Sequence, residues 1–476
     1  MDRDKRNFLS GTAALAVAGL AELAHGRTRA TAEVFTPEMF GAKGDGTTND
    51  SDAFAALAAE VNANGGGVVR LRRRTYLVGA QERNDGRFAE AFRPKPLLHL
   101  RGCTKRLTIE GNGAAMKCAP GLRFGTFDPS SGEPTRNAMP YLDKSQWSSP
   151  YEYMIMVEAC AGTVEIADLE LDGNLAALRI GGPFGDTGWQ ISATGLYLVD
   201  NRGDEIVRNV HSHHHPQDGL MINGLDDEAL AGRVRRRIEN FRSEYNGRQG
   251  CSIIGGHGYA FRGCKFNHTG RGGLVSAPAA GVDIEAEGGK TNRDHRFVDC
   301  EFSDNDGCAM VADSGDSEGA TFTGCTFVGT TNWSVWPYKP YFRFEGCTIV
   351  GTAVKCFGDP DPARAAQFHD CTFRDDPALS PNGKVYLSGR PDGPIADLSD
   401  AENVLFERCA FLLDHGAVLP WSTRAIYSNC RMRQTSGTNA FPRGAYRGRN
   451  VVDGAVILNG TTVDGDLILN GKPVSD

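Results

Sequence analysis

No long hydrophobic run occurs anywhere in the 476 residues. The longest weakly apolar stretch, Gly11–Leu23, is too short for a bilayer span, which needs about 20 apolar residues. No run of Lys or Arg exceeds three residues either, and 51 basic residues face 59 acidic ones, for a net charge of −8. An acidic chain without a basic stripe makes a poor partner for nucleic acid. Depletion of apolar residues, the mark of a disordered chain, is also missing, since 40% are hydrophobic and 24 are Phe. Glycine is abundant, at 59 residues, but follows no three-residue period, which excludes collagen. Many glycines beside many Phe, Val, Ile and Thr instead predict numerous short strands joined by tight turns.

Residues 1–32 combine a basic start, the apolar run and Ala30-Thr31-Ala32, the order of an export signal. Lys5-Arg6-Asn7-Phe8-Leu9 resembles a twin-arginine motif with lysine in the first position. Residues 1–32 are therefore expected to be an export peptide, and the protein periplasmic or secreted. Removing them takes away five basic and three acidic residues and leaves a net charge of −10.

Seven segments share one pattern: aromatic, two variable residues, Cys, one variable residue, apolar. They are FRGCKF (261–266), FVDCEF (297–302), FTGCTF (322–327), FEGCTI (344–349), FHDCTF (368–373), FERCAF (406–411) and YSNCRM (427–432). Their cysteines lie 36, 25, 22, 24, 38 and 21 residues apart, a solenoid period with loop insertions. The first aromatic, the Cys and the last apolar residue cannot all face inward along one straight strand, so a bend is expected between the first aromatic and the Cys. Short strands stacked turn on turn about 4.8 Å apart make a parallel β-helix, and most of the 13 cysteines become an inward ladder of reduced thiols. The fold class predicted is all-β, a single right-handed parallel β-helix over 33–450, closed by a helix at 50–64 and by terminal strands in 451–476. Asp50, Ser51 and Asp52 are candidate caps of that helix, and AVILNG (455–460) with DLILNG (466–471) a terminal strand pair.

FGAKGDGTTNDSDAFAAL (40–57), followed by GGGVVRLRRRTYLV (65–78), resembles the opening of the pectate-lyase-like superfamily of β-helix proteins, which includes polygalacturonase-like hydrolases, epimerase-like proteins and phage tailspikes. The resemblance implies a glycan-facing groove along one sheet, with catalytic side chains from neighbouring turns. Gln217-Asp218-Gly219 and Gly256-His257-Gly258 are similar to two polygalacturonase segments, but no matching Asp-Asp on the glycine-aligned strands and no Arg-Ile-Lys accompanies them.

Aligning turns on a glycine gives DGLMIN (218–223), QGCSII (249–254), AGVDIEAE (280–287) and DGCAMVAD (306–313). The inward column then reads Leu220, Cys251, Val282 and Cys308, and the outward positions include Ser252, Asp283 and Glu285. Asp283 and Glu285 alternate with apolar neighbours, so both project from one face with backbones roughly 6.5–7 Å apart. Such a pair could work as acid and base, with Asp218 assisting, or could hold calcium; no other metal or cofactor is implied. Candidate substrate-binding residues are Arg248, suited to a sugar carboxylate, His213, His215, His257, Lys290, and the sugar-stacking Trp333 and Trp336. The function expected is cleavage of glycosidic bonds in a polysaccharide, acidic or neutral, with hydrolysis favoured slightly. The alternatives are β-elimination or epimerisation of a uronic-acid polymer, and a non-catalytic glycan-binding surface protein. Monomer and trimer fit the sequence equally.

Overall fold

The computed structural model describes residues 32–135, 144–182, 191–227, 230 and 232–474. The export signal expected over 1–32 thus falls almost wholly outside the described residues. No described helix is long and apolar enough to cross a membrane.

From Val34 onward the chain winds into a right-handed parallel β-helix. Each turn contributes three short strands, and each pairs in parallel with its copy in the next turn. One sheet runs through Leu98–Arg101, Tyr153–Glu158, Thr194–Val199, Asp218–Asn223, Gln249–His257, Val282–Ile284, Met310–Ala312 and Val335–Pro337. The other two strands of a turn meet at a corner, and the repeated motif sits there. The residue before each repeat cysteine is left-handed: Gly263, Asp299, Gly324, Gly346, Asp370, Arg408 and Asn429 all have φ between 52° and 63°. This is the bend expected from the motif. It lets the first aromatic, the Cys and the last apolar residue all face inward, and glycine supplies it in three of the seven turns.

Inside, the first aromatics stack as a ladder. Successive ring centroids from Phe261 through Phe297, Phe322, Phe344 and Phe368 to Phe406 lie 4.4–5.1 Å apart and nearly parallel. The cysteines form a second ladder; the Cys325, Cys347 and Cys371 thiols each donate to the carbonyl of the preceding turn's Phe at 3.3–3.4 Å. All 13 are buried and unpaired.

The helix Ser51–Asn64 closes the N-terminal end with Phe54, Leu57, Ala58 and Val61 buried against the first turn. Its expected caps do other work. Asp50 accepts from the Lys43 and Gly44 amides, pinning the preceding loop, and Ser51 Oγ accepts from Gly79 N. At the other end, the strand Thr462–Leu469 pairs in parallel with Pro442–Asp453 and in a short hairpin with Lys472–Pro473. The 455–460 segment is therefore not the partner of 466–471. Sequence periodicity also missed a small side sheet of Gln81–Arg83, Phe92–Pro94, Arg123–Thr126, Trp147–Ser148 and Arg179–Gly181, beside a cavity of about 620 Å³.

Candidate active site

The sheet through Asp218–Asn223 carries two outward columns. In one, Asp218 pairs in register with Gln249. In the other, Tyr197, Met221, Ser252, Asp283, Val311 and Trp336 follow one another turn by turn. Glycines at 219, 250 and 281 let the strand start close to its neighbours; a Cβ at Gly281 would meet the Ala309 carbonyl oxygen at 2.6 Å.

The two columns interlock through hydrogen bonds. Asp218 Oδ2 accepts from Ser252 Oγ at 2.8 Å and faces Arg248 Nη1 at 3.4 Å. Asp283 Oδ2 accepts from Gln249 Nε2 at 2.7 Å, and Gln249 Oε1 is fixed by the Ala280 amide. Both carboxyls are buried, at 0% and 4% exposure, and the second oxygen of each, Oδ1, has no hydrogen-bond partner among the described residues. Burial of a carboxylate disfavours its charged form. For Asp218, burial is offset in part by Arg248 and Ser252, and the pKa rises to about 6. For Asp283, burial and then the adjacent Glu285 charge push it well above the usual carboxylate range, with Arg248 opposing. Both carboxyls are thus held toward their protonated forms, Asp218 against the opposing Arg248 and Ser252, and Asp283 with the Glu285 charge reinforcing burial. Glu285 is half-buried beside them, and the Ser314 hydroxyl bridges it to Asp313.

The expected acidic face is thus present, with Asp218 and Asp283 the more deeply held pair and Glu285 at its side. Gln249 and Ser252 position them. Their role was hidden in the sequence because it depends on register across turns. That register also corrects the predicted columns. Met310, not Cys308, stacks on Val282, while Cys308 and Val311 pack outside the barrel with Ala280 beneath Trp333 and Trp336.

Trp336 follows Asp283 by two turns in one column, its ring 4.8 Å from Lys355 Nζ and edge-on to Trp333. It lines an open cavity of about 610 Å³ together with Asp313, Tyr338, Lys355 and Arg424. Upstream, Tyr153 stacks on Tyr197 at 4.5 Å. Aromatic surfaces therefore flank the carboxyls on both sides along the helix axis.

The remaining candidates lie elsewhere. His215 is wholly buried: Tyr151 Oη lies 2.8 Å from Nδ1, Nε2 is 3.1 Å from the Leu171 carbonyl, and burial lowers its pKa to about 3. Its expected contact with substrate is therefore corrected to a core hydrogen bond, because both ring nitrogens are taken up in the interior by Tyr151 and the Leu171 carbonyl. His213 belongs to the neighbouring sheet, across the corner from Asp218, and bonds Glu170 at 3.1 Å. His257, largely buried, bonds Thr291 Oγ1 at 2.8 Å. Lys290 ties Asp200 to the Asn223 and Gly224 carbonyls at the end of the Asp218 strand.

No known protein-family model matches the chain. Over 87 residues it is 38% identical to the capsule KN3-specific depolymerase 1 of Klebsiella phage KN3-1. That stretch is 17% of this chain and 9% of the phage protein, so the chain spans a small part of that relative's length. Among solved structures, the A-module of a mannuronan C-5 epimerase from Azotobacter vinelandii aligns over 91% of this chain and 99% of its own, at 15% identity and a TM-score of 0.48. A tailspike of Acinetobacter baumannii bacteriophage Fri1, a capsular polysaccharide depolymerase, aligns over 93% of this chain and 64% of its own, at 13% identity and a TM-score of 0.38. The strand pairings described above establish the chain as a right-handed parallel β-helix.

Proposed function

We propose that the chain is an exported enzyme that cleaves glycosidic bonds in a polysaccharide lying along the Asp218–Trp336 face. One observation carries this reading: two buried carboxyls on one face, each held by one oxygen with the other unpartnered among the described residues, and both with pKa values raised by burial. In hydrolysis, Asp283 delivers its proton to the leaving glycosidic oxygen while Asp218 takes a proton from the attacking water. Their backbones are two turns apart, about 9–10 Å along the axis from the spacing of paired strands. Inverting hydrolysis requires a gap of about 6.5–9.5 Å between the carboxyl groups themselves, with a water between them. Flanking aromatics supply faces for neighbouring sugars. The local likeness to a capsule depolymerase supports a polysaccharide as substrate.

Arg248 beside Asp218 favours a second reading. A guanidinium there could neutralise a uronate carboxylate while Asp218 removes the adjacent proton, the opening step of β-elimination and of epimerisation. Product analysis on a panel of acidic and neutral polysaccharides tests both. New reducing ends without near-ultraviolet absorbance are the expected result. An unsaturated product would reassign the site to a lyase, and an inverted uronate without chain cleavage to an epimerase. Binding without any product would remove the enzymatic reading.

A further inference from the structure

We infer that a divalent transition ion of the zinc class binds at Asp172, His213 and His214, on the corner of the β-helix. Among the described residues this is the one grouping in which three His, Cys or carboxylate donors converge, with a ligand atom of each within 4.8 Å of the others. Consecutive histidines on an extended chain point to opposite faces and rarely share an ion. Here they do not diverge, because His214 takes a left-handed backbone, φ 54°, as the chain turns the corner. Its Nδ1 comes to 2.7 Å from His213 Nδ1. Asp172 pairs with His213 in register on the adjacent turn, and its Oδ1 lies 3.8 Å from the same nitrogen.

The surroundings are those of a metal-ligating histidine. Such residues commonly donate their other ring nitrogen to a carboxylate, which fixes the tautomer and leaves the first nitrogen with a free lone pair. His213 Nε2 meets Glu170 Oε1 at 3.1 Å in that manner. The His214 ring is held on its other side by Tyr245, nearly parallel at 5.0 Å, and Tyr245 in turn stacks on His268 at 4.6 Å. Lys117 engages Asp172 Oδ2 at 2.9 Å, and Oδ1, which accepts from the Asn174 amide, retains a second lone pair. Two imidazoles and a carboxylate suit Zn²⁺. Tetrahedral bonds near 2.0–2.1 Å place donors about 3.3 Å apart. The His213–His214 separation must widen, and the Asp172–His213 separation close, each by about half an ångström. Nothing in this inference depends on the carbohydrate reading of the Asp218 face.

The test uses the full chain without a polyhistidine tag, stripped with chelator and titrated calorimetrically with Zn²⁺. Co²⁺ substitution would add visible absorption bands as an independent readout. One equivalent is expected. Affinity should fall at least 100-fold in His214→Ala and about 10–100-fold in Glu170→Gln, which removes only the carboxylate behind His213. His415→Ala, at an exposed histidine elsewhere, and Asp283→Ala should leave binding unchanged. No saturable binding below about 1 mM would overturn the site, as would affinity equal to wild type in both His214→Ala and Glu170→Gln. Loss of binding in Asp283→Ala with retention in His214→Ala would place the ion on the other face and also overturn it.

Discussion

Asp283→Asn should lower polysaccharide turnover about 10²–10⁴-fold, the range over which a positioned proton donor contributes. The amide keeps the shape and can still meet Gln249, but it has no proton to give a leaving oxygen. Because burial pushes the wild-type carboxyl well above the usual carboxylate range, a neutral amide adds no desolvation penalty there, and the unfolding midpoint should not fall. Glu285→Gln separates proximity from chemistry. The Glu285 charge is the second cause, after burial, of the raised Asp283 pKa. Removing it lowers that pKa, so the alkaline limb of kcat/KM should move to lower pH while most of the activity near pH 6 survives. Measuring both variants against wild type across pH checks the assignment. Equal losses without a shifted limb would mean that Glu285, not Asp283, carries the proton.

Asp218→Asn should abolish activity and yet stabilise the fold at neutral pH. The folded pKa of Asp218 lies at about 6 against an ordinary 3.8. The native state therefore binds more protons than the unfolded chain between those values, and linkage makes stability fall as pH rises through that window. The difference corresponds to roughly 3 kcal/mol above pH 6, an order-of-magnitude figure for a fully buried group. Asn carries no charge and escapes this penalty, although it exchanges the contacts with Ser252 and Arg248 for weaker ones. Relative to wild type, the variant should gain stability between pH 4 and pH 7.5 in urea unfolding. An offset identical at both pH values would show that Asp218 titrates as an ordinary exposed carboxylate.

How legible all of this was in the chain differs by level. The corner motif was readable because three inward residues within six positions demand a bend, and the left-handed residue before each Cys supplies it. Helix Ser51–Asn64 was readable from its apolar face. Its capping was not, since Asp50 is taken up by amides of the preceding loop. Alignment on glycines kept the register through Val282 and slipped by two residues at the next turn. Gly307 is a turn glycine there, where a Cβ would lie 1.8 Å from the Pro278 carbonyl oxygen. A steadier ruler was available. The inward residue after the corner precedes the core residue of the next strand by eight positions in Ser212–Leu220, Ser243–Cys251, Phe302–Met310 and Phe327–Val335. Asp283 and Asp218 were both picked out as facing residues, yet their pairing through Gln249 and Ser252 joins strands 30 or more residues apart, which no local pattern encodes. His215 failed for the same reason: a histidine in a polar run reads as exposed until the Tyr151 ring is packed against it.

The central claim is that sugars lie across the Asp218–Asp283 carboxyls toward Trp336. Its most direct measurement is a crystal structure of Asp283→Asn, chosen because it should bind without cleaving, soaked with an oligosaccharide of the polymer that the wild type degrades. Sugar rings are expected against Trp336 and, on the other side, Tyr153 and Tyr197, with a glycosidic oxygen within hydrogen-bonding distance of residue 283. Density confined to the cavity beside the small N-terminal side sheet, or sugars that bypass residues 218 and 283, would contradict it.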